Sequence, residues 1–295
     1  MTMADKNIFT AHRQLEITGK DNNFPFPVLI QYPTHVPSIT TSIGPYQMDV
    51  SVDADIITGQ RFPLVILSHG NNGSPFFYRT ISTWLAQKGF IVALPAHYGN
   101  NSNAPSAPGT VENLTLRPRH MSLVIDHILA DPSFADSIDT SKIAVIGHSI
   151  GAYTALALAG GQAKTEDGAP VAIFPDSRIK AMVLLAPATV WLNDSGKNVN
   201  IPILLLTAEH DDRAPAWHAE IVFKIVTDPA LIDFREIKNA GHYSFLSPFP
   251  ETMKKTDFPL STDPDGFDRA AFHQELPVMI LDFLKEKLDV STINE

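Results

Sequence analysis

Lys142-Ile143-Ala144-Val145-Ile146-Gly147-His148-Ser149-Ile150-Gly151-Ala152-Tyr153-Thr154 is the stretch whose reading decides the fold. Its first five residues form the pattern of a short buried strand. The residues from Ala152 to Ala159 have the small side chains of a packed helix. Between them lies Gly-x-Ser-x-Gly, a serine on a tight strand-to-helix turn. Such a serine sits in strained backbone, with its hydroxyl pushed out above the sheet edge. Glycines flank it because a Cβ there would strike a neighbouring strand or helix. The helix N-terminus that follows favours developing negative charge. The five-residue motif is short enough to arise by chance, and the strand before and helix after it supply the specificity. Ser149 is therefore the candidate nucleophile.

Around this centre, the 295 residues are enough to bury a large core, and an α/β chain of this size is commonly one domain, expected here over 1–295. Net charge is −10, from 22 Lys and Arg against 32 Asp and Glu, with no basic run. That speaks against a nucleic acid or an anionic membrane surface as partner. The chain has no cysteine, which excludes disulfides, thiolate catalysis and cysteine metal sites. Residues 1–14 are polar and do not resemble a secretory signal, so the expected location is cytoplasmic. Residues 143–163 carry no Asp, Glu, Lys or Arg, a length that would suit a membrane helix. They include His148, Ser149 and four glycines, however, and strand-turn-helix is the better reading.

In chain order, residues 14–17 and 27–32 read as strands joined by a turn over 19–23. Residues 33–60, rich in Pro, Ser, Thr and Asp, read as a long surface connection. Residues 63–68 are a continuous apolar run suited to a central parallel strand. It ends in His69-Gly70-Asn71-Asn72-Gly73. Helical spacing marks residues 78–88, and 90–94 is the next strand. Residues 96–119 read as a loop long enough to be functional. Met121, Val124, Ile125, Ile128 and Leu129 mark a helix. After the serine turn come strands at 181–186, 201–207 and 232–237, then a final helix that Pro277 starts or kinks. The alternation predicts an α/β fold with one mostly parallel sheet of about eight strands and helices on both faces. Its site should lie at the carboxyl ends of the strands.

A serine hydroxyl needs a base within hydrogen-bond reach and a third group to orient that base. Of His210, His218, His242 and His273, His242 lies just past the last strand, where the base is needed. His218 and His273 sit in helical patterns and read as packing residues. Glu209, Asp211 and Asp212 all follow the 201–207 strand and all qualify as the acid. They could also simply solvate a loop. As metal ligands, the four adjacent residues Glu209, His210, Asp211 and Asp212 cannot readily close a coordination shell. Oxyanion donors would be the backbone N–H of Ile150, directly after the serine, and that of Asn71 in the glycine-flanked turn. Phe76, Tyr98 and Trp191 lie in loop composition and could line an apolar cleft.

From about Pro63 to the C-terminus the chain resembles the α/β-hydrolases. Within them it is similar to the predicted dienelactone-hydrolase group related to platelet-activating-factor acetylhydrolases. The resemblance rests on Leu67-Ser68-His69-Gly70, Gly89-Phe90-Ile91-Val92-Ala93, the run from Gly147 to Leu156, Asp176-Ser177-Arg178-Ile179-Lys180-Ala181, Ala240-Gly241-His242-Tyr243-Ser244-Phe245-Leu246 and Asp268-Arg269-Ala270-Ala271-Phe272. It implies a Ser149, Asp211 and His242 triad, with oxyanion donors on Asn71 and Ile150. In such loops a proline follows the acid by four residues, which Asp211 and Pro215 satisfy and Asp212 does not. Asn71-Asn72 stands where the family's turn is more apolar, and Ala152 where a second glycine is usual. Dienelactone hydrolases proper use a cysteine nucleophile, which this chain lacks.

The expectation is a serine hydrolase of carboxylic esters or lactones, small molecules that are neutral and apolar, without cofactor and without a large cap domain, since only residues 187–200 separate two strands where caps are often inserted. An amidase or acyltransferase on the same fold is the first rival; a non-catalytic binding protein on the same scaffold is the second. Sequence leaves the oligomeric state open.

Overall fold

The computed structural model describes residues 7–19, 22–106, 109–194 and 196–290. β1 (Phe9–Gly19) and β2 (Asn22–Thr34) form an antiparallel pair. Of the turn expected over 19–23, residues 20 and 21 lie outside the described residues. Residues 33–60 are not a plain connection: they hold a hairpin of β3 (Ile39–Ile43) and β4 (Tyr46–Val52). Tyr46, Met48 and Val50 of β4 are buried, while Thr40, Gln47 and Asp49 face outward. That polar outer face gives the hairpin a loop-like composition.

Strand and helix then alternate through β5 (Phe62–Ser68), α1 (Arg79–Gln87), β6 (Ile91–Pro95) and α2 (Val111–Ala130). They continue with β7 (Ile138–His148) and α3 (Ile150–Leu158). A short hairpin, β8 (Ala163–Lys164) with β9 (Pro170–Val171), stands apart from the main sheet. After it come β10 (Ile179–Leu185), β11 (Ile203–Ala208), α4 (Trp217–Ile225), β12 (Ile232–Ile237) and α5 (Arg269–Lys287).

Among the described residues the main sheet has ten strands, ordered β12-β11-β10-β7-β5-β6-β2-β1-β4-β3. Neighbours from β12 to β6 run parallel. The eight strands expected from sequence are all in this sheet, and the β3–β4 hairpin extends it beyond β1. Alternate residues of the central strands feed two cores, as the two-residue strand period requires. Ile66, Val145 and Leu184 pack with Met121, Val124, Ile125 and Ile128 of α2. Val65, Ile146 and Val183 pack with Ile81 and Leu85 of α1 and Leu276, Ile280 and Leu284 of α5.

Two helices start earlier than their prolines suggest. Residues 111–119, expected in a loop, belong to α2, whose cap is Thr110; its hydroxyl accepts the Asn113 N–H at 3.2 Å. Pro118 lies inside that helix. Likewise Pro277 lies inside α5 and does not start it; Asp268 caps the helix by accepting the Ala271 N–H at 3.0 Å. Both prolines are buried, so packing offsets the backbone bond each one removes. Between β10 and β11 the described residues carry no helix, and no large cap is inserted there.

Truncating a residue that feeds one core should cost far more than truncating an exposed aromatic. Ile146→Ala is expected to lose about 2–5 kcal/mol in urea unfolding, and Phe174→Ser, 78% exposed, no more than about 0.5 kcal/mol. Equal losses would contradict this assignment of the core.

Candidate active site

The turn between β7 and α3 is built as its residue types demand. Ser149 has φ 56° and ψ −122°, a backbone region that L-residues rarely adopt. A Cβ on Gly147 would collide with the Gly151 carbonyl, and a Cβ on Gly151 with the carbonyl of Ser68. The Ser149 N–H donates to the Leu185 carbonyl at 3.0 Å, and the Ser149 carbonyl accepts from Ala188 at 3.1 Å. The serine is thus pinned to the end of β10 as well as to its own helix.

Three loops converge on its hydroxyl. Ser149 Oγ donates to Nε2 of His242 at 2.9 Å, and His242 Nδ1 donates to Oδ2 of Asp211 at 2.8 Å. Asp211 Oδ1 accepts the N–H groups of Arg213 and Ala214 at 2.9 and 2.7 Å. Burial pushes the Asp211 carboxyl up, but the bonds from His242, Ala214 and Arg213 outweigh it and hold Asp211 below the ordinary range. Asp212 turns away, its side chain 84% exposed beside Arg213. Glu209 accepts the Asn239 N–H at 2.9 Å. The three acids of one loop therefore take three different directions.

The base loop is braced from below. Gly241 N–H donates to Ser244 Oγ at 3.0 Å, and that hydroxyl donates to Asp263 at 2.7 Å. Arg269 holds Asp263 at 2.9 Å, and His273 Nε2 donates to the Ser244 carbonyl at 3.1 Å. The Asp268-Arg269 pair noted in the sequence thus caps α5 and anchors the loop of His242.

His148 and Tyr78 belong to the site, although sequence reasoning did not single them out. The Gly70 N–H donates to the Tyr78 hydroxyl at 3.0 Å, which donates to His148 Nδ1 at 2.9 Å. His148 Nε2 then donates to the His242 carbonyl at 3.0 Å. One buried imidazole therefore ties the turn after β5 to the loop of His242. The hint in the sequence was a histidine just past the apolar 143–146 run.

The turn holding Asn71 lies against the serine: a Cβ on Gly70 would stand 3.5 Å from Ser149 Cβ. Gly73 N–H closes the turn onto the Gly70 carbonyl at 3.1 Å, with Asn72 at φ 51°. Among the described hydrogen bonds, the N–H groups of Asn71 and Ile150 have no acceptor.

The expected cleft aromatics are placed differently. Trp191 is only 7% exposed and packs edge-on against Tyr153, with Gly109 crossing its indole. It is a core residue. Phe76, in a short 3-10 turn, stacks with Tyr46 and His12 at centroid distances of 6.0 and 6.3 Å. Tyr98 is half-buried against the α2-side core. By contrast, Trp217 is 44% exposed on the first turn of α4, just past the Asp211 loop, and stacks on His218 at 3.6 Å.

A family model described as Chlorophyllase matches residues 46–210. The chain is 27% identical over 184 residues to a cutinase of Thermobifida alba, covering 61% of this chain and 52% of the cutinase. It is 23% identical over 255 residues to a platelet-activating factor acetylhydrolase of Cavia porcellus, covering 67% and 55%. The chain spans about half the length of these curated relatives. A ferulic acid esterase from Streptomyces cinnamoneus superposes with a TM-score of 0.73 at 17% identity, over 100% of this chain and 94% of that one. That likeness establishes the α/β-hydrolase fold.

Burial holds several histidines neutral. His69, His120 and His148 are lowered to about 3, His218 and His273 to about 4, and His97 well below its ordinary value. The unfolded chain protonates such groups near pH 6.5 and the folded one does not. Stability is therefore full above pH 6.5 and falls as pH drops toward the folded values. Asp211 adds a loss only at lower pH, as it protonates. Urea unfolding at pH 7.5, 6 and 5 should show this decline, and equal stability at pH 7.5 and 5 would refute it.

Proposed function

The chain belongs to the chlorophyllase family, and from that premise we propose that it hydrolyses carboxylic esters, lactones included, of neutral apolar substrates through an acyl-enzyme on Ser149. The observation that carries the reading is the unbroken relay from Asp211 through His242 to Ser149, at 2.8 and 2.9 Å. As Ser149 Oγ bonds to the acyl carbon, its proton passes to His242 Nε2. Asp211 holds the imidazole in the required tautomer and stabilises its cation. The N–H groups of Asn71 and Ile150 receive the oxyanion. Collapse breaks the ester C–O bond, and the alcohol leaves with the proton from His242. Water then attacks the acyl-enzyme, giving its proton to His242, and the acid departs as Ser149 recovers it.

Neutral, apolar substrates fit the surroundings. Arg213, the basic side chain beside the acid, lies 3.7 Å from Asp212 and points to no anion cradle. Trp217 offers a half-exposed aromatic face on the helix that follows. The acetylhydrolase and cutinase relatives support the ester class.

Two measurements decide the reading. Ser149→Ala should lower turnover of a neutral aryl ester by about a million-fold, keep the wild-type melting temperature and abolish fluorophosphonate labelling. Activity near wild type would remove Ser149 from the mechanism. Asp211→Asn should cost about ten-thousand-fold, while Asp212→Asn, altering an exposed side chain, should remain within a few-fold of wild type. The reverse order would assign the acid to Asp212.

A further inference from the structure

Behind the turn of Asn71 lies a cation that meets no carboxylate among the described residues. Arg117, on α2, is fully buried. Its Nε donates to Thr154 Oγ1 at 3.1 Å, one terminal nitrogen to Asn100 Oδ1 at 2.6 Å, and the other to Ser68 Oγ at 3.2 Å and to the His69 carbonyl. All of these acceptors are neutral. Burial lowers its pKa to about 9, so it is still charged at neutral pH. A buried guanidinium compensated only by dipoles is not what stability alone favours, since an apolar side chain of similar volume often serves as well.

Asn100, also fully buried, carries the constraint onward. Its Nδ2 donates to Asn71 Oδ1 at 2.8 Å, to Asn72 Oδ1 at 3.0 Å and to Ser106 Oγ at 3.2 Å. The Ser106 N–H donates to Asn72 Oδ1 at 2.9 Å, and Asn72 Nδ2 donates back to the Ser106 carbonyl at 3.1 Å. The Asn71-Asn72 pair, where the family's turn is more apolar, therefore has a use: both amides are ends of this network. Asparagine also tolerates the positive φ of residue 72.

We propose that Arg117 is a positioning residue for oxyanion stabilisation: it holds the His69 carbonyl directly and, through Asn100, the side chains of Asn71 and Asn72. The Asn71 N–H is thereby fixed before substrate arrives, and an uncompensated positive charge stands behind the place where the anion forms. A site held this way needs little reorganisation as charge develops. The inference rests on the ester-hydrolase reading above.

The test is steady-state kinetics of Asn100→Asp and Arg117→Lys on a neutral aryl ester, with the inhibition constant of a trifluoromethyl ketone, which forms a tetrahedral adduct on a serine. Asn100→Asp keeps the shape and the acceptor for Arg117, but it loses the donor to Asn71 and Asn72 and neutralises the cation. Its kcat should fall on the order of ten- to a hundredfold, less than for losing an oxyanion donor outright. KM should stay within about twofold, and ketone affinity should drop in proportion to kcat. Arg117→Lys keeps the charge but cannot span four acceptors, and it should lose kcat in the same way. Wild-type kcat in either variant, or a loss of kcat with unchanged ketone affinity, overturns the inference. Should Arg117→Lys fail to fold, Asn100→Asp alone decides. Ser149→Ala in parallel separates the two claims: if it is inactive while Asn100→Asp is silent, only the positioning role fails. If it remains active, the hydrolase reading fails first.

Discussion

The site depends on one crowded crossing of backbone. β7, the start of α3 and the end of β5 approach so closely that residues 147 and 151 have no room for a side chain. Ser149 between them is forced to φ 56°, a conformation that costs on the order of 1–3 kcal/mol and persists only when its surroundings over-determine it. Bonds to Leu185 and Ala188 supply that over-determination. The same crossing drives His148 inward beneath the serine, where it becomes the link between the Gly70 turn and the loop of His242. Strain at one residue and order in two loops therefore have a common origin.

Much of this was legible because short apolar strands and a glycine-flanked serine leave a strong periodic trace. The order of loops along the chain then placed residues 149 and 242 and the 209–212 loop at one edge of the sheet, and the family resemblance chose Asp211 within that loop. Residue type alone could not choose among Glu209, Asp211 and Asp212. In the fold, Asp211 differs because two successive backbone N–H groups capture one of its oxygens and leave the other facing His242. Other features were illegible for physical reasons. The β3–β4 hairpin has one polar face and reads as a loop. Pro118 suggests a break where packing sustains a helix. Trp191 lies in loop-like sequence, yet the segment carrying Gly109 covers it. Arg117 falls within the 96–119 stretch that reads as a loop, and nothing local reveals that Thr154, Asn100 and Ser68 will converge on it.

Neutral imidazoles recur as internal connectors. A neutral ring has one donor and one acceptor, so it can join a backbone N–H to a carbonyl across a gap too wide for a direct bond. His69 does this within the turn after β5: Nδ1 donates to the Gly70 carbonyl at 2.7 Å, and Nε2 accepts the His97 N–H at 3.1 Å. His97 Nε2 accepts from Ser68, whose hydroxyl already receives Arg117, so Nδ1 of His97 donates to His120 at 3.3 Å. Protonating any of these rings would remove its acceptor and break the connection. The desolvation that keeps them neutral is therefore part of how the loops are held.

The pinning of Ser149 has a bearing on how the chain is made. The residues that order the elbow arrive late: the Leu185 carbonyl follows the serine by a whole strand, and His242 follows it by 93 positions. Synthesis runs from the N-terminus, so a growing chain contains the glycine-serine turn well before His242 has been added. Until β10, β11 and β12 have docked in succession, the serine has neither its backbone anchors nor a proton acceptor. On the proposed reading, the site is therefore assembled only when the sheet edge is complete.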